Sequence, residues 1–239
     1  AIFPFEVEIY ERAGANVAFV GHPLVDLAKP RMSKKEACRR FDLDPYKPII
    51  GLLPGSREHE INKLLPIMLR TAHLLREKLD GIQFLLPVAA SVFKNKIVRM
   101  IEESEVPVKI TENSVYEVMN ISHLLITASG TATLEAACLN TPMIIVYKAN
   151  FSTYLLGEIL LRLPYVGLPN ILANKKIVPE LLQFKATANR ISDVALKLLT
   201  DSRKLEKMKA NLRKVAQRLG KPGAIDRAAR VVVEAATYK

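Results

Sequence analysis

The sequence has little cysteine and lacks the short motifs of several enzyme classes. Its two cysteines, Cys38 and Cys138, are 100 positions apart and form no CxxC pair, which excludes a disulfide scaffold and a cysteine zinc site. No run of 18 residues is free of charge, which argues against a membrane-spanning helix. The P-loop, GxGxxG and GxSxG patterns are all missing, and His59 and His73 form no HxxxH pair. We therefore expect no metal and no bound cofactor.

The chain carries an excess of positive charge. It has 35 Lys and Arg against 24 Asp and Glu, a formal charge of +11, which favours an anionic partner such as a phosphate, an acidic lipid or a nucleic acid. Many of the basic residues lie in two predicted helices within 189–219, without interleaved aromatic residues, so we expect no nucleic acid partner. The apolar segment 151–163 has helical spacing and is interpreted either as core or as a surface that touches a membrane or partner.

Five apolar runs alternate with helical patterns in the first two thirds of the chain. The runs are continuous rather than alternating in hydrophobicity, as expected for strands that are buried on both faces. This pattern predicts an α/β fold with a doubly wound parallel sheet, in which ligands bind at the carboxyl edge of the strands. The predicted strands are 49–53, 83–88, 106–110, 123–127 and 143–147, and helices are predicted at 33–41, 57–79, 91–103, 114–120, 130–139, 189–219 and 224–237.

The first candidate anion site is the Leu-Pro-Gly-Ser-Arg turn that follows the first strand and opens a helix. Gly55 is predicted to let the backbone approach a ligand, and the N–H groups after it to be unpaired. Arg57 would bind a phosphate through two hydrogen bonds, with Glu60 one turn further on. In the alternative interpretation, Ser56 only caps the helix and Arg57 is a solvated surface residue. A full capping box is not expected, because His59 stands three residues after Ser56.

The second candidate is a turn of small residues between the fourth strand and the next helix. The turn consists of Ser129, Gly130, Thr131 and Ala132. Their small side chains are expected to leave main-chain N–H groups accessible to an anion. Glu135, about one turn into the helix, could accept hydrogen bonds from both hydroxyl groups of a ribose. The alternative is tight packing of helix on sheet. Two such turns at one sheet edge are suited to a diphosphate and its nucleoside.

Five motifs in a fixed order resemble the lipid-A-disaccharide synthase family. They cover much of the chain between positions 20 and 173, and each is loose alone, whereas the ordered set is specific. The motifs are Val20-Gly-His-Pro-Leu-Val-Asp26, Leu52-Leu-Pro-Gly-Ser-Arg57 with Glu60-Ile61, Ala128-Ser-Gly-Thr-Ala132 with Leu134-Glu135, Pro142-Met143 with Val146-Tyr147-Lys148, and Leu168-Pro-Asn-Ile-Leu-Ala173.

The resemblance implies a metal-independent GT-B glycosyltransferase. Such an enzyme transfers a 2,3-diacylglucosamine from UDP to 2,3-diacylglucosamine 1-phosphate, as a cytoplasmic protein peripheral to the anionic inner membrane. Residues 1–20 are then expected to be the end of an N-terminal GT-B half, 21–48 a linker, and 49–239 a UDP-sugar-binding Rossmann-like domain with a helical tail. The resemblance also implies a possible homodimer that exchanges C-terminal segments.

The family's UDP site can be carried over residue by residue. Gly55, Ser56 and Arg57 are assigned to the diphosphate, with Glu60 in support, and the 129–132 turn is expected to donate N–H groups to phosphate. Glu135 is assigned to the ribose, and Asn170 is expected to face the nucleotide. These groups would stabilise the charge that develops on the leaving UDP. The catalytic base is expected in the other GT-B half and is assigned to no residue here.

Two other functions fit the same residues. One is a different GT-B-like UDP-sugar enzyme, such as a UDP-sugar 2-epimerase, which would share the nucleotide site. The other is a non-catalytic module that binds anionic membrane or nucleic acid, for which we expect steep salt dependence and no effect of removing Glu135.

Overall fold

The computed structural model describes residues 1–88, 93–148 and 164–237, and the statements below concern those residues. They form one α/β unit built on six strands, β1 (Ile49–Leu53), β2 (Gln83–Val88), β3 (Val108–Glu112), β4 (Leu124–Ala128), β5 (Met143–Tyr147) and β6 (Glu180–Leu182). The helices are α1 (Pro4–Arg12), α2 (Leu24–Leu27), α3 (Lys34–Arg40), α4 (Glu58–Arg76), α5 (Lys94–Ser104), α6 (Val115–Ile121), α7 (Ala132–Cys138), α8 (Leu168–Ala173), α9 (Ala188–Leu199), α10 (Ser202–Arg218) and α11 (Ala224–Thr237).

The six strands form a single parallel sheet in the order β3-β2-β1-β4-β5-β6. The central pair is β1 and β4, with Ile50 opposite Leu124 and Leu53 opposite Thr127. The chain winds outward from β1 in one direction and from β4 in the other, so the strand order reverses between these two strands. Open sheets of this kind bind ligands at the carboxyl end of such a switch point. The predicted doubly wound parallel fold is confirmed.

The core lies where helices cover both faces of this sheet. Every residue of β1 and β4 is buried, as the continuous apolar runs predict. The helix α4 presents a buried apolar stripe to the sheet, and its members are Ile61, Leu64, Leu65, Met68, Leu69, Ala72 and Leu75. Each fully buried Leu or Met contributes about 1.5–3 kcal/mol relative to an exposed one, so this stripe fixes α4 and the turn that precedes it.

The observed elements differ from the predicted ones mainly after position 164. The bounds of β1, β2, β5 and α11 agree with the prediction, and β3 begins two residues later than expected. Pro164, Pro169 and Pro179 predict an irregular stretch around 168–173, yet these residues form α8, and the strand β6 follows Pro179. Pro169 lies in the first turn of α8, where no N–H partner is needed, and Pro179 precedes the edge strand β6. The apolar segment 151–163 lies outside the described residues.

The segment before the sheet is attached to the beginning of α11. The Asp26 carboxylate accepts hydrogen bonds from the N–H groups of Gly223, at 2.9 Å, and Ala224, at 3.1 Å. Arg227 donates through Nε to the Val20 carbonyl at 2.9 Å. The hydrogen bond from the Gly223 N–H is the main cause that lowers the pKa of Asp26. Residues 20–26 therefore form a defined contact with 223–227.

None of the helices described above is long and apolar enough to span a membrane.

Candidate functional site

A cavity of about 620 Å³ opens at the carboxyl ends of β1, β2 and β4, at the point where the strand order reverses. It is the place that the fold predicts for a ligand. Nine of the ten predicted binding residues line it, namely Gly55, Ser56, Arg57, Glu60, Ser129, Gly130, Thr131, Ala132 and Glu135. The two motif turns, separated by more than seventy positions in the chain, are thus brought together in the lining of one cavity.

The first turn is closed by its own carboxylate. Glu60 is 8% exposed, and its Oε2 accepts hydrogen bonds from the N–H groups of Ser56 at 3.1 Å and Arg57 at 3.3 Å. The prediction that these N–H groups are unpaired is therefore wrong. The N-cap residue is Arg57, not Ser56, so Glu60 stands at the third helical position, from which it can reach back to the cap N–H. Counting the capping box from Ser56 concealed this arrangement.

Gly55 provides the space in which the Glu60 carboxylate lies. Its φ is +106°, and a Cβ on this residue would lie 2.2 Å from Glu60 Oε2 and 2.8 Å from Glu60 Cβ. Both the backbone conformation and the contact require glycine. The prediction gave this space to a ligand; in the structure the neighbouring side chain occupies it.

The Arg57 guanidinium remains available at the mouth of this turn. Its side chain is 74% exposed and lies 3.4 Å from Glu60 Oε1 through Nη1. An ion pair with one exposed partner stabilises a protein by at most about 1 kcal/mol. Because the guanidinium has five N–H donors and uses one of them here, it can bind an anion in the cavity while its contact with Glu60 is kept.

The second turn, between β4 and α7, offers open main-chain donors. Within the described residues, the N–H groups of 129–132 make no hydrogen bond, while the Gly130 carbonyl accepts the Thr133 hydroxyl at 2.7 Å. No atom of the described part of the chain lies within 4 Å of the position where Gly130 would carry a Cβ. This turn therefore lines the cavity with main-chain N–H groups that pair with no other described residue, and Gly130 leaves its own position open.

Glu135 is paired with a tyrosine that the sequence motifs did not indicate. Tyr116 donates its hydroxyl to Glu135 Oε1 at 3.1 Å, and both residues line the cavity. Burial raises the pKa of Glu135, although the hydrogen bond from Tyr116 opposes this effect. Burial, with the charge of Glu135, raises the pKa of Tyr116 to about 12, so the phenol remains a donor at neutral pH. Among the residues that the structure describes, no donor pairs with the other carboxylate oxygen of Glu135, so this oxygen is left for a ligand hydroxyl.

Asn170, the tenth predicted residue, does not line the cavity. It is fully buried, and its amide Nδ2 donates to the Val178 carbonyl at 2.9 Å and to Glu180 Oε1 at 2.7 Å. Its Oδ1 accepts from the N–H groups of Ile177 at 2.7 Å and Val178 at 3.0 Å. With both donors and both acceptor positions of the amide occupied, the side chain ties α8 to the chain entering β6. The expected orientation toward a nucleotide is corrected accordingly.

The described residues contain no group of three or more His, Cys, Asp and Glu side chains arranged to hold a metal ion.

Comparison with known proteins identifies the family. Residues 1–233 match the family model for lipid-A-disaccharide synthetase. The lipid-A-disaccharide synthase of Geobacter sulfurreducens is 44% identical over 98% of this chain, and that of Coxiella burnetii strain Dugway is 37% identical over 97%. The chain belongs to this family. It covers 61% of the length of each of these two relatives.

Solved structures with low sequence identity share the fold of this chain. The S. aureus MnaA-UDP co-structure has a TM-score of 0.68 at 14% identity, covering 99% of this chain and 59% of that one. The UDP-GlcNAc 2-epimerase of Neisseria meningitidis bound to UDP-GlcNAc has a TM-score of 0.67 at 15% identity, covering 100% and 61%. At such identities the likeness shows a shared fold. The predicted resemblance to lipid-A-disaccharide synthases and the GT-B-type fold are both confirmed.

The geometry adds residues that the motifs of the lipid-A-disaccharide synthase family did not indicate. One wall of the cavity is formed by Asn113, Ser114, Val115, Tyr116 and Glu117, together with Arg31 from the segment between α2 and α3. Apolar side chains from β2 and α5 close the floor. The sequence signal for this wall is weak, because it consists of a short polar stretch before α6 and one arginine 86 positions from its contact.

Proposed function

We propose that this chain forms the UDP-binding part of a lipid-A-disaccharide synthase. The whole protein would transfer 2,3-diacylglucosamine from UDP to 2,3-diacylglucosamine 1-phosphate, which yields the lipid A disaccharide and UDP. Family membership supports the reaction, and one observation carries the location of the donor. Arg57, the open 129–132 turn and Glu135 meet in a single cavity at the switch point of the sheet.

We assign the diphosphate to the side of the cavity between the two turns. The open N–H groups of 129–132 are the main-chain donors, and Arg57 supplies the positive charge opposite them. Ser56 adds a hydroxyl, while Gly55 and Glu60 hold the turn in shape rather than contact the phosphate through N–H groups. This division follows from Glu60, whose carboxylate already occupies the donors at the beginning of α4.

The ribose is assigned to Glu135. Its carboxylate lies one turn into α7, directly after the turn that would hold the phosphates, and Tyr116 fixes its orientation from the far side. A carboxylate that accepts from ribose hydroxyl groups forms charge-assisted hydrogen bonds, which contribute about 1.5–3 kcal/mol each to binding.

The chemical contribution of these groups is stabilisation of the leaving nucleotide. As the bond between sugar and diphosphate breaks, negative charge grows on the β-phosphate, and donors that are already in place lower the energy of that state. Arg57 and the 129–132 turn are the groups positioned to do this. We assign the catalytic base to the part of the relatives that this chain does not span, in keeping with residues 1–20, 21–48 and 49–239 being the end of the other half, a linker and the UDP-binding domain.

We also propose that the protein works at the surface of the anionic inner membrane, where its acceptor and donor carry acyl chains. The formal charge of +11 supports attraction to acidic lipid. Val232 and Val233 on α11 are 67% and 62% exposed, which supports a contact of that helix with lipid or with a second copy of the chain. Co-sedimentation with vesicles of acidic lipid, compared with vesicles of neutral lipid, tests binding to the membrane. The molar mass of the protein in solution tests the contact with a second copy of the chain.

Titration calorimetry of UDP into the 239-residue chain tests the nucleotide site. We expect UDP to bind, UMP to bind more weakly, and Arg57→Ala to lose about 10- to 100-fold in affinity for UDP, the range for one or more charge-assisted hydrogen bonds. Arg203→Ala, on the exposed face of α10, is the matched control and should bind UDP like the parent. A folded parent protein without affinity for UDP would contradict the proposal, as would an Arg57→Ala variant with full affinity.

A further inference from the structure

The cavity wall that contains Glu117 and Arg31 is assigned neither to the phosphates nor to the ribose in the proposed UDP site. It combines the first turn of α6 with Arg31, which comes from the separate segment between α2 and α3. In a nucleotide whose diphosphate lies at the 129–132 turn and whose ribose lies at Glu135, the base extends away from the diphosphate. Because Tyr116 bonds to Glu135, and Tyr116 and Glu117 both line the cavity, the base would reach this wall.

Glu117 is an unusual residue for such a wall, because it is a carboxylate that is only 4% exposed. Its Oε1 accepts the main-chain N–H of Arg31 at 2.8 Å. Among the residues that the structure describes, no donor is paired with its Oε2, and this atom is not sealed from solvent. A buried carboxylate is costly unless its oxygens receive hydrogen bonds, so an open oxygen in a cavity wall is suited to a donor on a ligand.

Arg31 places a complementary group beside this carboxylate. Its main chain is fixed by Glu117, and its exposed side chain lines the same cavity. Within the described residues the guanidinium has no acceptor. The wall therefore offers one open acceptor next to a set of open donors.

This pair matches one edge of uracil. That edge carries a donor, N3–H, between two carbonyl acceptors, whereas cytosine has an acceptor at N3 and an amino group in place of one carbonyl. We propose that Glu117 and Arg31 select the nucleobase: the Glu117 carboxylate accepts uracil N3–H, and the Arg31 guanidinium donates to the adjacent carbonyl. This inference rests on the proposed UDP site and adds its base specificity.

A purely structural role for Glu117 is the competing interpretation, since it ties the segment around Arg31 to α6. The two roles can be separated. Glu117→Gln keeps a side-chain oxygen that can accept the Arg31 N–H, but it removes the charge and gives the other position a donor instead of an acceptor. The variant therefore keeps the hydrogen bond from the Arg31 N–H and changes the hydrogen-bonding group that the base would contact.

The first measurement uses the parent protein and changes the ligand. UDP, CDP and 3-methyl-UDP, which lacks the N3–H, are titrated in turn by calorimetry. We expect CDP and 3-methyl-UDP to bind about 10- to 100-fold more weakly than UDP, because a site that hydrogen-bonds a donor rejects analogues without it. If all three bind equally, the inference is wrong although the UDP site stands. If none binds, the proposed function fails and the inference with it.

The second measurement repeats the titrations with Glu117→Gln. We expect its affinity for UDP to fall by about 10-fold or more and its preference for UDP over CDP to shrink, since the amide can donate to cytosine N3. The control is Glu206→Gln on α10, an exposed carboxylate paired with Lys209, which should change neither value. A Glu117→Gln variant that folds and keeps the full preference for UDP would overturn the inference. If that variant does not fold, the comparison of ligands on the parent protein decides.

Discussion

Replacing Asn170 by alanine should destabilise the protein strongly while leaving nucleotide affinity almost unchanged. The substitution removes four hydrogen bonds from a fully buried site and leaves the N–H groups of Ile177 and Val178 without acceptors. Each buried group that loses its partner costs about 1–3 kcal/mol. Because the Glu180 carboxylate keeps its bond from the Gly167 N–H, we expect a total loss of about 3–5 kcal/mol. For a domain of this size that is a drop of roughly 6–20 °C in Tm.

Thermal and urea unfolding measure this loss, and UDP titration well below Tm measures the affinity. Asn189→Ala is the matched control, because this asparagine is on α9, away from the buried network, and should change stability by about 0.5 kcal/mol or less. The reasoning would be refuted by an Asn170→Ala variant of normal stability and greatly reduced UDP affinity. That outcome would mean that the amide faces the nucleotide, as the family motif had suggested.

Three further predictions concern the cavity and the cysteines. Gly55→Ala should lose about 1–3 kcal/mol of stability, because φ at this position is +106° and the new Cβ would meet the Glu60 carboxylate at 2.2 Å. Glu135→Gln should weaken UDP binding yet stabilise the protein at pH 7. Burial raises the pKa of Glu135 in the folded protein above its ordinary 4.5, so the unfolded chain loses this proton first as pH rises. The wild-type protein therefore loses stability as pH rises from 4.5 through the raised pKa of the folded state. Cys38 and Cys138 should react slowly with a thiol reagent in the native protein, because burial raises both thiol pKa values, that of Cys138 to about 11.

Each of the three has a simple check. Denaturant unfolding of Gly55→Ala is compared with that of Gly14→Ala. At Gly14 φ is also positive, but no atom of a described residue lies within 4 Å of the new Cβ, so only the backbone strain remains. For Glu135→Gln, the gain in stability must disappear at a pH well below 4.5, where the wild-type carboxyl is neutral in the folded and the unfolded state. A gain that persists there has another cause. For the cysteines, rapid labelling of both thiols before unfolding would contradict the expectation and show that α3, with Cys38, and the end of α7, with Cys138, open readily.

Periodicity and composition were sufficient to predict the central strands of the sheet but not its edge strand β6. The continuous apolar runs at 49–53 and 143–147 predict β1 and β5 to the residue, because strands buried on both faces have no polar positions to confuse the pattern. The edge strand β6 is three residues long and only half buried, so its sequence carries too little hydrophobic signal. Its position depends on pairing with β5, which is a tertiary contact.

The candidate site shows the same division between local and long-range information. Both motif turns could be predicted, because glycine and small residues directly after a buried strand are typical of a turn that opens a helix. The roles within them could not, since the Glu60 carboxylate competes with a ligand for the same N–H groups. Asn170 was misassigned because a buried amide that ties two segments together has the same sequence as one that binds a ligand. Arg31 and Glu117 meet only through folding and carry no motif.

The contact between residues 20–26 and the beginning of α11 has a consequence for the order in which the molecule folds. Asp26 and Gly223 are 197 positions apart, and Val20 and Arg227 are 207 apart. Closing loops of this length costs more entropy than forming the neighbouring strand pairs, so this contact should form after the sheet. The Asp26 carboxylate accepts these bonds near the surface, so the contact should also open before the sheet does. The Gly223 and Ala224 amides should therefore exchange with solvent faster than those of β1, while the cavity at the sheet edge stays intact.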